Sequence, residues 1–189
     1  MEILHKIDGA CFNFINTSLS NTVFDFIMPL FHHTKYFIPI LLVLWIIAVF
    51  YDKPNRWKLA IIIPLAIILV DQSGLWIKKT VLRPRPFMTM DPQIINHLVA
   101  PSGENLSFPS NHAANNATLA TIFSSVYYHL RYIFWGIVII VMFSRVYIGV
   151  HYPSDVISGC ILGTFYGLLL VKVWDYGNKI STTDNKYSN

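Results

Sequence analysis

Five apolar runs, each close to the length of a membrane-crossing helix, constrain this chain more than any other feature of its sequence. They cover residues 36–51, 57–79, 112–129, 131–150 and 154–175. A helix needs about 20 apolar residues to cross the hydrocarbon core of a bilayer. The pattern therefore predicts an all-α integral membrane bundle of five to six transmembrane helices, the sixth requiring that residues 1–33 also cross the bilayer.

The composition excludes an ordinary soluble globule. Of 189 residues, 54% are hydrophobic and only 13% are charged, whereas soluble domains carry about 25% charged residues. The net charge is +4, and because the cations flank or interrupt apolar runs, it favours anionic lipid or phosphate as a partner over nucleic acid. Cys11 and Cys160 lie far apart, which is neither a disulfide nor a metal-binding pattern.

The apolar runs belong to one domain. Residues 1–177 are predicted to form a single membrane-embedded unit, followed by a polar tail at 178–189. Residues 1–33 carry apolar side chains at loose helical spacing, broken by polar ones, and predict amphipathic helices at the interface or against the bundle. The loop at 80–111 holds five of the ten prolines, and a long stiffened loop is a candidate active-site element.

Counting the spans brings three polar clusters to one membrane face. The second span ends at Lys78, and the loop that follows returns to the third span at His112, so both ends of the loop lie on the same side. The third and fourth spans come back to that side at 144–155. The other face carries Lys53, Arg56, Lys58, Arg131, Lys172, Lys179 and Lys186. By the positive-inside rule that face is cytoplasmic, so we expect the clusters to face the periplasm or exterior of the cell (inner) membrane.

The three clusters combine fixed cations, hydroxyls, two histidines and one carboxylate. They are Lys78, Lys79, Arg83 and Arg85, then Ser110 and His112, then Ser144, Arg145, His151 and Asp155. Arg binds phosphate oxygens with a planar fork and Lys as a point charge, and the start of a helix near His112 adds amide donors. One histidine can attack phosphorus while the other protonates the departing oxygen. A carboxylate four residues after His151 can fix its tautomer.

These residues and their spacing resemble the type 2 phosphatidic-acid-phosphatase family, which is related to the vanadium haloperoxidases. The family motifs are K-x6-RP, PSGH and SR-x5-H-x3-D. The chain has Lys78 with Arg85-Pro86, "PSNH" at 109–112, and Ser144-Arg145 followed by His151 and Asp155. The resemblance extends over 78–155 and not over the first 35 residues.

The resemblance implies a membrane lipid phosphatase that needs no metal or other cofactor and forms a phosphohistidine. His151 is the implied nucleophile, Asp155 orients it, and His112 is the acid for the leaving group. The implied phosphate ligands are Lys78, Arg85, Ser110, Asn111, Arg145 and Ser144. We expect Lys79 and Arg83 to snorkel to the interface instead of binding phosphate.

Asn111 stands where the family has glycine. The glycine amide is expected to contact phosphate, and Asn tolerates positive φ better than most residues, so that contact can persist. We further expect the Asn111 side chain to enter the pocket and influence the choice of head group.

Asp71 lies seven residues before Lys78 on the same helix face. It is either a functional carboxylate or the buried partner of a polar group on another helix.

Gly159, Gly163 and Gly167 recur every four residues and predict a close helix contact.

The expected substrate is a phosphate or pyrophosphate monoester of a membrane lipid, and undecaprenyl pyrophosphate is the first choice. The alternatives are lipid A 1-phosphatase and phosphatidylglycerophosphate or phosphatidic acid phosphatase activity. A non-enzymatic phospholipid-binding or translocating membrane protein is the alternative of another class. The expected partners are this lipid and the bilayer, without nucleic acid, and the oligomeric state stays open.

Overall fold

The computed structural model describes residues 2–32, 34–100 and 105–187, and within these ranges the secondary structure is helical apart from one isolated bridge between Pro84 and Leu106. The helices are α1 (Glu2–Asn13), α2 (Thr22–Ile27), α3 (Thr34–Tyr51), α4 (Arg56–Val81), α5 (Pro86–Thr89), α6 (Asn111–Val126), α7 (Arg131–Tyr147) and α8 (Pro153–Tyr187). Short helical turns at Phe14–Ser18, Met28–His32 and Tyr128–Leu130 join them. The predicted all-α class is confirmed, and α8 continues into the polar tail.

The predicted number of spans is not confirmed. In the described ranges, three helices are long and apolar enough to cross a membrane, at Arg56–Val81, Tyr128–Tyr147 and Pro153–Ile180. A fourth span results if Thr22–His32 and Phe37–Tyr51, which meet at a bend of 59°, act as one broken span. With only 16 residues, α6 is shorter than a full crossing. The expected count of five to six is therefore not confirmed, although the multi-pass membrane class is.

The short helix α6 is the centre of the bundle. Its buried face is made of small residues except for Ile122; the small ones are Ala113, Ala114, Ala117, Thr118, Ala120 and Thr121. Gly159, Gly163 and Gly167 of α8 lie against this face, and a Cβ at Gly163 would overlap the carbonyl oxygen of Ala114. The predicted small-residue contact is thus confirmed, and it brings the N-terminal ends of α6 and α8 together.

Polar contacts hold the two ends of the bundle. At one end, Lys58 Nζ lies 3.0 Å from Asp175 Oδ1, and the Tyr127 hydroxyl donates to Asp52 Oδ2 at 2.9 Å. The motif residues lie at the other end.

The N-terminal segment also packs at the motif end. Buried Asn16 donates to the carbonyl oxygens of Tyr147 and Asn96 at 2.7 and 2.8 Å. The Tyr147 hydroxyl in turn donates to Asp25 Oδ1 at 2.6 Å. Residues 12–28 are thereby fixed against the C-terminal end of α7.

Candidate active site

His151 sits in the tight connection between α7 and α8. Gly149 has φ of +80°, a conformation that only glycine adopts without strain, and Pro153 begins α8 with the φ that a first helical residue requires. This turn buries the His151 side chain to 3% exposure. Its Nε2 lies 3.5 Å from Arg85 Nη1, and its Nδ1 lies 3.5 Å from Asp155 Oδ2. The two ring nitrogens therefore face a cation and a carboxylate respectively.

The environment keeps the His151 imidazole neutral. Burial lowers its pKa to about 4; Arg85 and Lys78 add to this lowering, and Asp155 opposes it. At neutral pH the ring therefore keeps a lone pair on one nitrogen, as a nucleophile requires. The 3.5 Å separation from Asp155 is longer than an ordinary hydrogen bond, and such contacts commonly tighten when substrate binds.

Asp155 is fully buried and receives several donors. Its Oδ2 accepts from the backbone N–H of Tyr152 at 2.8 Å, and its Oδ1 accepts from Arg83 Nη1 at 2.7 Å. Arg83 also pairs with Asp8 of α1 at 2.6 Å. The expectation that Arg83 snorkels to the interface was wrong, because the side chain turns inward to this carboxylate. Asp8 belongs to no motif, and sequence reasoning missed it.

Two further cations line the opposite side of His151. Lys78 is 3% exposed, and its Nζ donates to the carbonyl oxygen of Pro109 at 2.7 Å. Arg85 Nη1 donates to the carbonyl oxygen of Val150 at 3.2 Å. Lys79 is exposed. The structure thus places Lys78 and Arg85 beside the candidate nucleophile and leaves Lys79 outside.

The first turn of α6 meets the first turn of α8. The N-cap residue is buried Ser110, whose backbone N–H donates to the carbonyl oxygen of Asp155 at 3.0 Å. Gly159 permits this approach, because a Cβ there would overlap the Ser110 carbonyl oxygen. The first amides of a helix lack acceptors within it and are natural donors to an anion. The junction therefore brings amide donors next to the histidine and its carboxylate.

The expectation that the Asn111 side chain enters the phosphate-binding pocket was wrong, because the side chain points to α4. Its Nδ2 donates to Asp71 Oδ1 at 3.2 Å, and Asn115 Nδ2 donates to the same oxygen at 3.0 Å. The side chain is therefore committed to α4 instead of offering its amide to a phosphate. The backbone amide is left as the group of Asn111 that can contact one. Of the two readings of Asp71, the structure shows the polar partner.

His112 and Arg145 each present a buried polar atom without a partner in the described part of the chain, Nε2 and Nε respectively. Arg145 is 1% exposed. Its Nη1 lies 2.9 Å from Nδ1 of His32, and its Nη2 donates to the carbonyl oxygen of Phe31. The rings of His32 and His112 are parallel, with centroids 6.5 Å apart. His32 is thus a third histidine at the site, which the sequence did not single out.

Ser144 binds the turn Met28–His32, which also contacts Arg145. Ser144 is fully buried, and its Oγ donates to the carbonyl oxygen of Met28 at 2.8 Å. The structure thus gathers at one end of the bundle every residue that the motifs singled out. We call the region bounded by Lys78, Arg85, His112, Arg145 and His151 the phosphate pocket, after the phosphate ligands that the family resemblance predicts there.

Comparison with known proteins shows which proteins the chain resembles. A family model described as the PAP2 superfamily matches residues 55–179. The lipid A 4'-phosphatase of Porphyromonas gingivalis is 32% identical over 67% of this chain and 56% of its own length. That of Bacteroides thetaiotaomicron is 30% identical over 89% of this chain and 77% of its own. The undecaprenyl-diphosphatase of Sulfolobus acidocaldarius is 31% identical over 64% of this chain and 57% of its own. The chain thus spans little more than half the length of two of these relatives.

Two solved structures share the fold. The LpxE of Aquifex aeolicus superposes with a TM-score of 0.66 and 27% identity, over 86% of this chain and 93% of that one. A PAP2-type phosphatidylglycerolphosphate phosphatase from Bacillus subtilis superposes with a TM-score of 0.72 and 24% identity, over 94% of this chain and 88% of that one. The match to membrane phosphatase structures supports the helical membrane architecture described above.

Proposed function

The chain belongs to the PAP2 superfamily, and from that premise we propose that it is a lipid phosphatase that acts through a phosphohistidine at His151. One observation carries the proposal. The His151 ring is buried between a carboxylate on Nδ1 and the Arg85 guanidinium on Nε2, 3.5 Å from each. Nε2 is therefore the nitrogen on the side where cations can hold a phosphate.

The first step transfers the phosphoryl group to the protein. The lone pair of His151 Nε2 forms the N–P bond while the bond from phosphorus to the lipid oxygen breaks. His112 donates a proton to that oxygen. Burial and then the charge of Arg145 lower the His112 pKa, so the ring takes up this proton only when the negative charge of the bound phosphate favours its protonated form. Asp155 accepts a hydrogen bond from His151 Nδ1–H and stabilises the positive charge that develops on the ring.

The second step returns the protein to its starting state. His112, now neutral, takes a proton from a water molecule that attacks phosphorus, and the N–P bond breaks. Lys78, Arg85 and Arg145 stabilise the negative charge on the phosphoryl oxygens in both steps, and the first amides of α6 add donors. Inorganic phosphate then leaves.

An apolar groove beside the phosphate pocket is suited to a lipid tail. Its volume is about 840 Å³, and its walls come from α3, α4, α6 and α7. One wall follows α6 from Asn116 to Tyr127, about 16 Å at 1.5 Å per residue. Asn116 Nδ2 donates to the His112 carbonyl oxygen at 2.9 Å, so the groove begins one turn from the proposed acid.

Undecaprenyl pyrophosphate is the substrate that we propose first, since a single long isoprenoid chain suits one continuous groove. A lipid A phosphate is the second candidate, because two relatives named lipid A 4'-phosphatase match this chain over 67% and 89% of its length. We place the phosphate pocket on the periplasmic or outer face, opposite the basic end of the bundle.

The test uses detergent-purified full-length protein and a panel of lipid phosphates, with released phosphate as the measurement. We expect wild type to release phosphate, with or without EDTA, and His151→Ala to release none. His129→Ala is the matched control, since His129 is exposed at the opposite end of the bundle, and it should retain full activity. Substrate preference follows from the kcat/KM values for the polyprenyl pyrophosphate and lipid A members of the panel.

Two results would contradict the proposal. Phosphate release by His151→Ala at the wild-type rate would exclude the phosphohistidine. Absence of release from every lipid by folded wild-type protein would instead favour a phospholipid-binding or translocating protein.

A further inference from the structure

The tripeptide Pro109-Ser110-Asn111, which leads into α6, is held from two sides. Helix α4 contacts it twice. Lys78 Nζ donates to the Pro109 carbonyl oxygen at 2.7 Å, and Asp71 Oδ1 accepts from Asn111 Nδ2 at 3.2 Å. Helix α8 contacts it through the Asp155 carbonyl oxygen, which accepts from the Ser110 N–H at 3.0 Å. Every residue of the tripeptide is thus fixed to a neighbouring helix.

The contact between Asn111 and Asp71 depends on a glycine. A Cβ built on Gly74 would lie 2.8 Å from Asn111 Oδ1 and 3.2 Å from its Cγ. Real Cβ atoms essentially never come as close to another heavy atom as the first of these distances. Gly74 therefore leaves the space that the Asn111 side chain fills, so the two positions fit each other.

We propose that Asp71 is a positioning residue for phosphate binding, acting through Asn111 on the first turn of α6. The inference rests on the proposed function, since it concerns the same phosphate pocket. Asp71 fixes the residue whose backbone amide is the proposed phosphate contact and which immediately precedes His112. The asparagine at position 111 thus provides an attachment to α4 that a glycine cannot make.

The chemistry of Asp71 favours this role over simple packing. It lies within the span Arg56–Val81, where an ionisable side chain is costly and is usually retained for function. An apolar residue would fill the seam between α4 and α6 at lower cost. Asp71 instead accepts from both Asn111 and Asn115, one helical turn apart on α6, which fixes the rotation of that helix as well as its position.

The first experiment removes the acceptor. We expect Asp71→Leu to weaken vanadate binding and lower kcat/KM for the lipid phosphate, each by about ten-fold, as for loss of a hydrogen bond to a charged group. Asp71→Asn keeps an oxygen in the same place and should restore most of both. In an Asn111→Gly background, Asp71→Leu should weaken vanadate binding clearly less than in wild type, because only the hydrogen bond from Asn115 is left to lose.

The second experiment uses the fit between Gly74 and Asn111. Gly74→Ala should displace the Asn111 amide group from Asp71 and weaken vanadate binding, by no more than Asp71→Leu does, because the hydrogen bond from Asn115 is kept. Because the displaced atoms are the end of one side chain, the fold should survive. In the Asn111→Gly background, Gly74→Ala should change vanadate affinity by less than about two-fold, within the additivity expected of uncoupled sites. Gly136→Ala is the matched control, since a Cβ there meets nothing within 4 Å.

Vanadate affinity, measured by calorimetry, does not depend on turnover. Equal effects of Asp71→Leu in the wild-type and Asn111→Gly backgrounds would overturn the inference, as would vanadate affinity unchanged in Gly74→Ala. Loss of thermal stability in Asp71→Leu with normal vanadate affinity would reduce Asp71 to a structural residue, and so also overturn it. If wild type binds vanadate but dephosphorylates no lipid, the proposed function fails while the double-mutant comparison still decides the role of Asp71.

Discussion

At the scale of single residues, the site is organised around one carboxylate that serves several partners. Asp155 Oδ2 lies 3.5 Å from His151 Nδ1 and accepts from the Tyr152 amide, and Asp155 Oδ1 pairs with Arg83. Arg83 also binds Asp8 and Ser154. A buried carboxylate with a fixed cation on one oxygen keeps its charge and its orientation, so the other oxygen stays directed at the imidazole.

This arrangement predicts that Arg83 matters although it need not touch substrate. Arg83→Gln removes two charge-assisted hydrogen bonds of 2.6 and 2.7 Å to carboxylates, and bonds of this kind contribute about 1.5–3 kcal/mol each. We expect kcat to fall by about ten- to a hundred-fold with a smaller change in KM, because the nucleophile is misoriented while the phosphate ligands remain. Steady-state kinetics on the preferred lipid measures both constants.

Lys79→Gln is the control for the Arg83 variant. It removes a positive charge four residues away, from an exposed side chain, and should leave kcat within about two-fold, as exposed charges contribute little. An Arg83→Gln enzyme with normal kcat and raised KM would instead assign Arg83 to direct phosphate binding.

The motif residues between 78 and 155 could be picked out as a candidate site from the sequence, because phosphoryl transfer requires particular residue types at particular spacings. Asp8 and His32 could not, since they reach the site only when the N-terminal segment folds back on α7 and α8. The orientation of Asn111 was not predictable either. It depends on the space at Gly74, on a helix that the motif PSGH does not include.

At the scale of elements, the turn Met28–His32 acts as a support for Arg145. Two of the guanidinium nitrogens bond to His32 and to the Phe31 carbonyl oxygen, and Ser144 holds the Met28 carbonyl oxygen. Within the described ranges Arg145 Nε has no partner. Since a guanidinium offers five N–H donors in a fixed plane, the Nε–H is the donor that the proposed phosphate would engage.

We therefore predict that His32 contributes to phosphate binding indirectly. His32→Ala should raise KM and the inhibition constant of vanadate by about ten-fold, because Arg145 loses an acceptor that fixes its plane. His32→Asn retains an acceptor near the position of Nδ1 and should recover most of the loss. Inhibition kinetics on the purified protein measures both effects.

The control for His32 is His5→Ala, an exposed residue of α1, which should behave as wild type. If removing His32 instead lowers KM, the turn Met28–His32 competes with substrate for Arg145 and does not support it.

At the scale of the whole molecule, the two ends of the bundle have different chemistry. The phosphate pocket lies at one end, whereas Lys58 with Asp175 and Tyr127 with Asp52 close the other. The family match covers residues 55–179, so the N-terminal segment that supports Arg145 and Asp155 lies outside it. The segment that supports the site therefore lies outside the region that the family model matches.

The polarity of the bundle predicts how the protein sits in the membrane. Single cysteines are introduced at Pro54 and at Gln93, both exposed and at opposite ends, in a background without Cys11 and Cys160. The basic end should be cytoplasmic, so Gln93→Cys should react with an impermeant thiol reagent in intact cells. Pro54→Cys should react only after permeabilisation. The reverse pattern would place the phosphate pocket on the cytoplasmic face.

The apolar groove between α3 and the rest of the bundle has walls that also face the lipid, with Leu41 half exposed and Ile137 46% exposed. A substrate that enters through such walls arrives by diffusion in the plane of the bilayer and never passes through bulk water. The rate of substrate binding then depends on the mole fraction of substrate among the membrane lipids. Diluting the substrate with inert detergent at constant molarity would slow the enzyme, whereas changing the aqueous volume would not.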